Sequence, residues 1–103
     1  MDPKLVTFPV SHWTLMDVLV EDGVGPETGW SLAMGEWTDD SGDRARVLGC
    51  RWNGDQGTIG TPSLRGEPTW FILPQPLTEI ILASEVIPAA KQQLANTFMN
   101  SPA

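Results

Sequence analysis

Two alternating runs of apolar and polar residues flank a cluster of turn formers at the centre of the chain. In residues 30–37 (WSLAMGEW), Trp30, Leu32 and Met34 fall on one face and Ser31, Ala33, Gly35 and Trp37 on the other. In residues 44–52 (RARVLGCRW), Leu48, Cys50 and Trp52 share one side, and Ala45, Val47 and Gly49 the opposite one. Successive side chains of a strand point to opposite faces. The intervening TDDSGD is rich in turn formers, so the stretch predicts a β-hairpin. Arg44 and Arg46 are expected near Glu36 and Asp39 across it, which favours this pairing electrostatically.

The flanking segments are less regular. Residues 14–20 (TLMDVLV) are β-branched and apolar and predict a strand, although Leu15, Val18 and Leu19 also fit a helix face. Residues 4–10 (KLVTFPV) predict an edge strand or the run into one, because Pro9 has no N–H to donate. EDGVGPETG (21–29) reads as a turn or loop. The stretch 53–68 (NGDQGTIGTPSLRGEP) has neither periodicity and predicts a long loop, of a kind often functional. PTWFIL (68–73) lacks polar alternation, which predicts a strand buried on both faces.

Beyond Pro74 the pattern changes. Pro76 suits the first turn of a helix. Leu77, Ile80, Ile81 and Ser84 follow helical spacing, while EIIL also fits a strand, so 77–84 stays open between the two. Ala90, Leu94 and Phe98 lie four apart and predict an amphipathic helix over 88–99. Strands followed by helices predict an α+β domain. We expect an antiparallel sheet of four to five strands with one or two C-terminal helices packed on one face. At 103 residues the chain has room for one core, hence a single domain over 1–103.

Charge narrows the partners. Thirteen acids oppose six bases, for a net charge of −7. Phosphate affinity comes mainly from Lys and Arg, so no nucleic-acid binding is expected and no adhesion to anionic membranes. Nine of the acids (Asp2, Asp17, Glu21, Asp22, Glu27, Glu36, Asp39, Asp40, Asp43) precede residue 44, against Lys4 alone. Such a bias serves solubility, or an acidic face that meets a basic partner or a cationic ligand. Cys50 is the single cysteine, so no internal disulfide forms, which suits a reducing compartment. The N-terminal stretch lacks the pattern of a signal peptide and no apolar run is long enough to span a bilayer, so the expected location is the cytoplasm.

Catalytic and metal-binding templates fit poorly. Cys50 with His12 is the one nucleophile–base combination available, and Cys50 sits at an inward strand position, where thiols are inert. One His and one Cys do not make a structural zinc site. Asp39–Asp43 lacks the length and terminal Glu of a calcium loop. GDQGTIGTP lacks GK[ST] and so is no phosphate loop. No cofactor is expected.

Tryptophan is the unusual item: Trp13, Trp30, Trp37, Trp52 and Trp70, with no tyrosine. Most of these rings should fill the core, but their number leaves some for a ligand or partner surface. Trp30 and Trp37 are an odd number of positions apart and must face opposite sides. An indole exposed on a helix-free face would bind a ligand or a second copy. Nearby carboxylates would favour a cation over the indole face. The candidate ligand- or partner-binding residues are Trp30, Trp37, Trp52, Trp70, Arg51, Asn53 and Arg65, with the 53–67 loop as rim or lid.

The words RWNG (51–54) and RGEPTWFILP (65–74), joined by a Gly/Pro-rich loop, resemble a segment of small bacterial proteins, some carried on mobile elements such as integron cassettes. The likeness covers roughly residues 49–74. It implies a bacterial, cytoplasmic, accessory setting, and it brings no established activity and no catalytic residues.

The sequence therefore favours a non-catalytic binding protein. It would take a cationic or aromatic small molecule in a Trp-lined pocket, or a protein partner, and would form a homodimer through a sheet face or edge. One alternative is a small enzyme with a carboxylate or Arg51/Arg65 site under the 53–67 loop. Asp17 with Glu36 is one such carboxylate pair. The other is an acidic protein that neutralises a basic partner, for which these acids are scattered rather than arrayed.

Overall fold

A computed structural model describes residues 1–23, 29–55 and 57–103. The expected turn at 21–29 thus falls mostly outside the described residues. Strands β1 (Trp13–Asp22), β2 (Trp30–Thr38) and β3 (Arg44–Trp52) form an antiparallel meander. The short β4 (Ser63–Leu64) and β5 (Glu67–Pro68) pair as a separate hairpin, and β6 (Phe71–Ile72) adds to β3, for a sheet order β1-β2-β3-β6. Helices α1 (Gln75–Leu82) and α2 (Ala89–Met99) follow. The α+β arrangement read from the sequence is the one observed, with a four-stranded antiparallel sheet and two C-terminal helices.

The expected central hairpin forms, with Trp30 opposite Trp52, Leu32 opposite Cys50 and Glu36 opposite Arg46. Asp39 organises its turn. Its carboxylate accepts hydrogen bonds from the Ser41 hydroxyl at 2.8 Å, the Ser41 N–H at 2.9 Å and the Asp43 N–H at 3.0 Å. Those bonds, the hydroxyl foremost, hold the Asp39 carboxyl below the ordinary carboxylate range. Glu36 takes both arginines, Arg44 at 3.4 Å and Arg46 at 3.5 Å.

Both faces of the sheet carry apolar clusters. On one, Leu19, Leu32, Met34 and Leu48 pack against Ile87, Ala95 and Phe98 of the helical layer. On the other, Val18 and Ala33 pack with Val6, Trp13 and Trp70, flanked by Leu15, Trp37, Val47 and Ile72. Strand β2 is buried without a break from Ser31 to Gly35 for this reason. Register shifts in β1 between Leu15 and Asp17 and between Val18 and Val20 interrupt the alternation, so neighbours Leu19 and Val20 both pack on the helix-bearing side while Val18 serves the other cluster.

Several local expectations are corrected. Residues 4–10 are not an extended edge strand: a 3-10 turn spans Pro3–Leu5, and Asp2 caps it through the Lys4 N–H. The stretch 53–68 is not structureless. Thr61 bridges to Trp52, and the β4–β5 hairpin closes on Arg65 and Gly66, both at positive φ (53° and 81°), as a two-residue primed turn requires. PTWFIL is not a central strand. Trp70 and Ile72 turn into the second cluster, while Phe71 stays 56% exposed on an edge strand that pairs at two positions only.

The segment 77–84 is helical as far as Leu82, and α2 is rotated from the expected face. Ala95 and Phe98 are buried and Leu94 is 50% exposed. Two neighbours set this rotation. Ile87 enters the core just before α2, and Lys91, one turn on, reaches the Asp17 carboxylate at 2.8 Å and the Val18 carbonyl at 3.1 Å. At the far end Arg46 lies 4.0 Å over the Phe98 ring and donates to the Phe98 and Pro102 carbonyls, satisfying the helix C-terminus.

Candidate functional site: an indole-walled cavity

The second face owes its cover to tryptophan. Trp13 and Trp37 are register partners on β1 and β2, and Gly35 beside them leaves the space across which the Trp13 ring lies. Trp70 packs against Trp13 with ring centres 6.3 Å apart and planes at 40°, and its N–H donates to the Val6 carbonyl at 2.7 Å. Between these rings remains a cavity of about 190 Å³, lined by Phe8, Pro9, Trp13, Trp37, Leu64, Thr69, Trp70 and Ile72. Thr69 is the one polar side chain type in that wall. Leu64, on the β4–β5 hairpin, is 49% exposed at the cavity. Trp37 is stacked from behind by His12 at 5.4 Å, whose Nδ1–H donates to the Thr38 carbonyl at 2.6 Å. The Trp13 Nε1–H is buried with no hydrogen-bond partner.

The hairpin wall of the cavity is held by Arg51. Its side chain is buried and donates to the carbonyls of Thr69 (2.5 Å), Pro62 (3.5 Å) and Ile59. Burial pulls its pKa below the ordinary guanidinium value. Asn53 is also buried. Its side-chain oxygen accepts from the Ser31 hydroxyl at 2.8 Å and its N–H donates to the Gly29 carbonyl at 2.8 Å. Both residues therefore bind the protein's own chain, and Arg51 also borders a cleft beside Trp30 and Trp52. Arg65 sits exposed at the hairpin tip, away from the cavity wall.

The seven candidates thus divide. Trp37 and Trp70 meet in the cavity; Arg51 and Asn53 anchor the loop that bounds it; Trp30 and Trp52 lie together on the opposite, helix-bearing face. Trp13, Phe8 and Leu64 were missing from the candidate set. The available signal was Gly35, a residue without a side chain on the face shared by Trp37.

Other chemistry is not assembled. His12 stands beside Thr38, whose register partner is Arg44, and Cys50 lies six residues along β3 from Arg44, so the two are separated by roughly 20 Å along the strands. Asp17 is paired with Lys91, and Glu36 with Arg44 and Arg46, so these carboxylates do not share a site. Among the described residues no three His, Cys, Asp or Glu side chains gather as metal ligands, and no helix is long and apolar enough to cross a membrane.

No protein-family model, no curated protein and no solved structure matches this chain.

Proposed function

We propose that the protein binds a small aromatic molecule in the cavity between Trp13, Trp37 and Trp70. The observation that carries this reading is an apolar space walled by three indoles and Phe8, open beside a half-exposed hairpin leucine. Volume sets the ligand size. An apolar cavity of about 150 Å³ takes up benzene, so 190 Å³ suits one ring or two fused rings. Offset or edge-on contacts with the indoles add to the burial of apolar area. A ligand acceptor that reached the Trp13 N–H would offset the cost of an unpaired buried donor, about 1–3 kcal/mol.

Titration with indole and phenol, followed by tryptophan fluorescence and amide NMR shifts, tests this. Saturable binding with shifts at Thr69, Trp70 and Leu64 is expected, at micromolar to millimolar Kd, roughly 4–8 kcal/mol. Leu64→Glu places a charge at the mouth and should abolish it while the circular dichroism spectrum stays unchanged. Linear, non-saturating quenching in the native protein would overturn the reading.

A further inference from the structure

The last cross-strand row on the helix-bearing face differs from the rest. Asp22, Trp30 and Trp52 are register partners across β1, β2 and β3, and Thr61 extends the row by bridging to Trp52. Directly opposed residues of an antiparallel ladder project from the same face, so the Asp22 side chain stands beside Trp30. Trp52 is 43% exposed, and Phe71, at the end of the adjacent row through Leu32 and Cys50, is exposed as well.

The two indoles do not stack. Ring–ring contacts among the described residues are His12–Trp37 and Trp13–Trp70. Instead a cleft of about 350 Å³ is lined by Trp30, Trp52, Cys50 and Arg51. A second cleft, about 300 Å³, lies between Trp52 and residues 58–61, with Gly54 and Asp55 in its wall. Trp52 is therefore a fin between two clefts, with Asp22 beside Trp30 and Asp55 in the wall of the second cleft. The guanidinium of Arg51, which borders this cleft, is bound to the carbonyls of Ile59, Pro62 and Thr69.

We propose that the Trp30–Trp52 cleft binds an organic cation, a quaternary or N-methylated ammonium group held by the indole faces, with Asp22 beside Trp30 supplying the opposing charge. Indole faces attract such cations through their quadrupole, and Trp is the strongest of the aromatic side chains in this role. The acidic balance of the whole chain, −7, adds a long-range attraction. This site stands apart from the cavity on the other face and does not depend on it.

Choline and its neutral isostere 3,3-dimethylbutan-1-ol form the test, with binding followed by the indole N–H resonances of the full chain. Choline should saturate and shift the Trp30 and Trp52 resonances, with affinity about ten-fold above the isostere. Trp52→Ala and Asp22→Asn should each weaken choline, the former by about ten-fold, while Leu64→Glu leaves it unchanged. Equal binding of choline and the isostere overturns the proposal. So do shifts confined to Trp13, Trp37 and Trp70, or no saturation at tens of millimolar choline. The wild-type resonance shifts decide the matter even if Trp52→Ala does not fold.

Discussion

The indole N–H of Trp70 donates to the carbonyl of Val6 at 2.7 Å, joining residues 64 positions apart. This bond fastens the N-terminal segment over the second face and fixes one wall of the aromatic cavity. Trp70→Phe keeps an aromatic ring but leaves a buried carbonyl without its donor. The expected loss is about 2 kcal/mol, which in a domain of this size lowers Tm by roughly 10 °C. Thermal unfolding measures it.

Arg51 acts on the same face from the other side. Arg51→Met removes a buried cation that serves three carbonyls, Ile59, Pro62 and Thr69. Hydrogen bonds from charged donors contribute about 1.5–3 kcal/mol, so stability should fall by at least that range. Because those carbonyls belong to the 59–69 segment, limited proteolysis should cut there first. Indole binding should weaken in parallel, since Leu64 and Thr69 line the cavity.

Two glycines give graded responses. A Cβ at Gly35 would overlap the Trp13 ring and approach the Thr14 carbonyl oxygen to 2.5 Å. One at Gly49 would meet the Trp70 Cβ at 3.0 Å. Gly35→Ala is expected to cost about 3 kcal/mol and Gly49→Ala about 1 kcal/mol. Urea denaturation gives the order, and near-ultraviolet circular dichroism reports the displaced Trp13.

Cys50 is half-buried against the helical cluster, and burial pushes its thiol pKa up. The folded state therefore favours the protonated thiol. Its contribution to stability is fully present below the unfolded thiol pKa, roughly 8.5, and is lost as pH rises through the higher folded value. At pH 8 a disulfide reagent should modify Cys50 more slowly than a free thiol, and urea should remove that protection. Reaction at the free-thiol rate in the folded protein would contradict this.

The central hairpin was legible because alternation is a local property. Ser31, Ala33 and Trp37 face away from Leu32 and Met34 whatever covers either side. The β4–β5 hairpin was hidden because its turn uses Arg65, which adopts a positive φ that composition does not advertise. The rotation of α2 was misread because Ala90, Leu94 and Phe98 match helical spacing as well as the buried set does. The contacts of Ile87 and Lys91, outside that pattern, decide between them.

The sequence by itself determined the central hairpin, the opposite facing of Trp30 and Trp37, and the acidic balance, since strand period and charge reside in neighbouring residues. Tertiary structure alone decided which tryptophans share a space. Trp13 meets Trp70, and Trp30 sits beside Trp52 at the far end of the opposite face, because strand register and long-range bonds such as Trp70–Val6 and Arg51–Thr69 bring together residues that no local pattern connects.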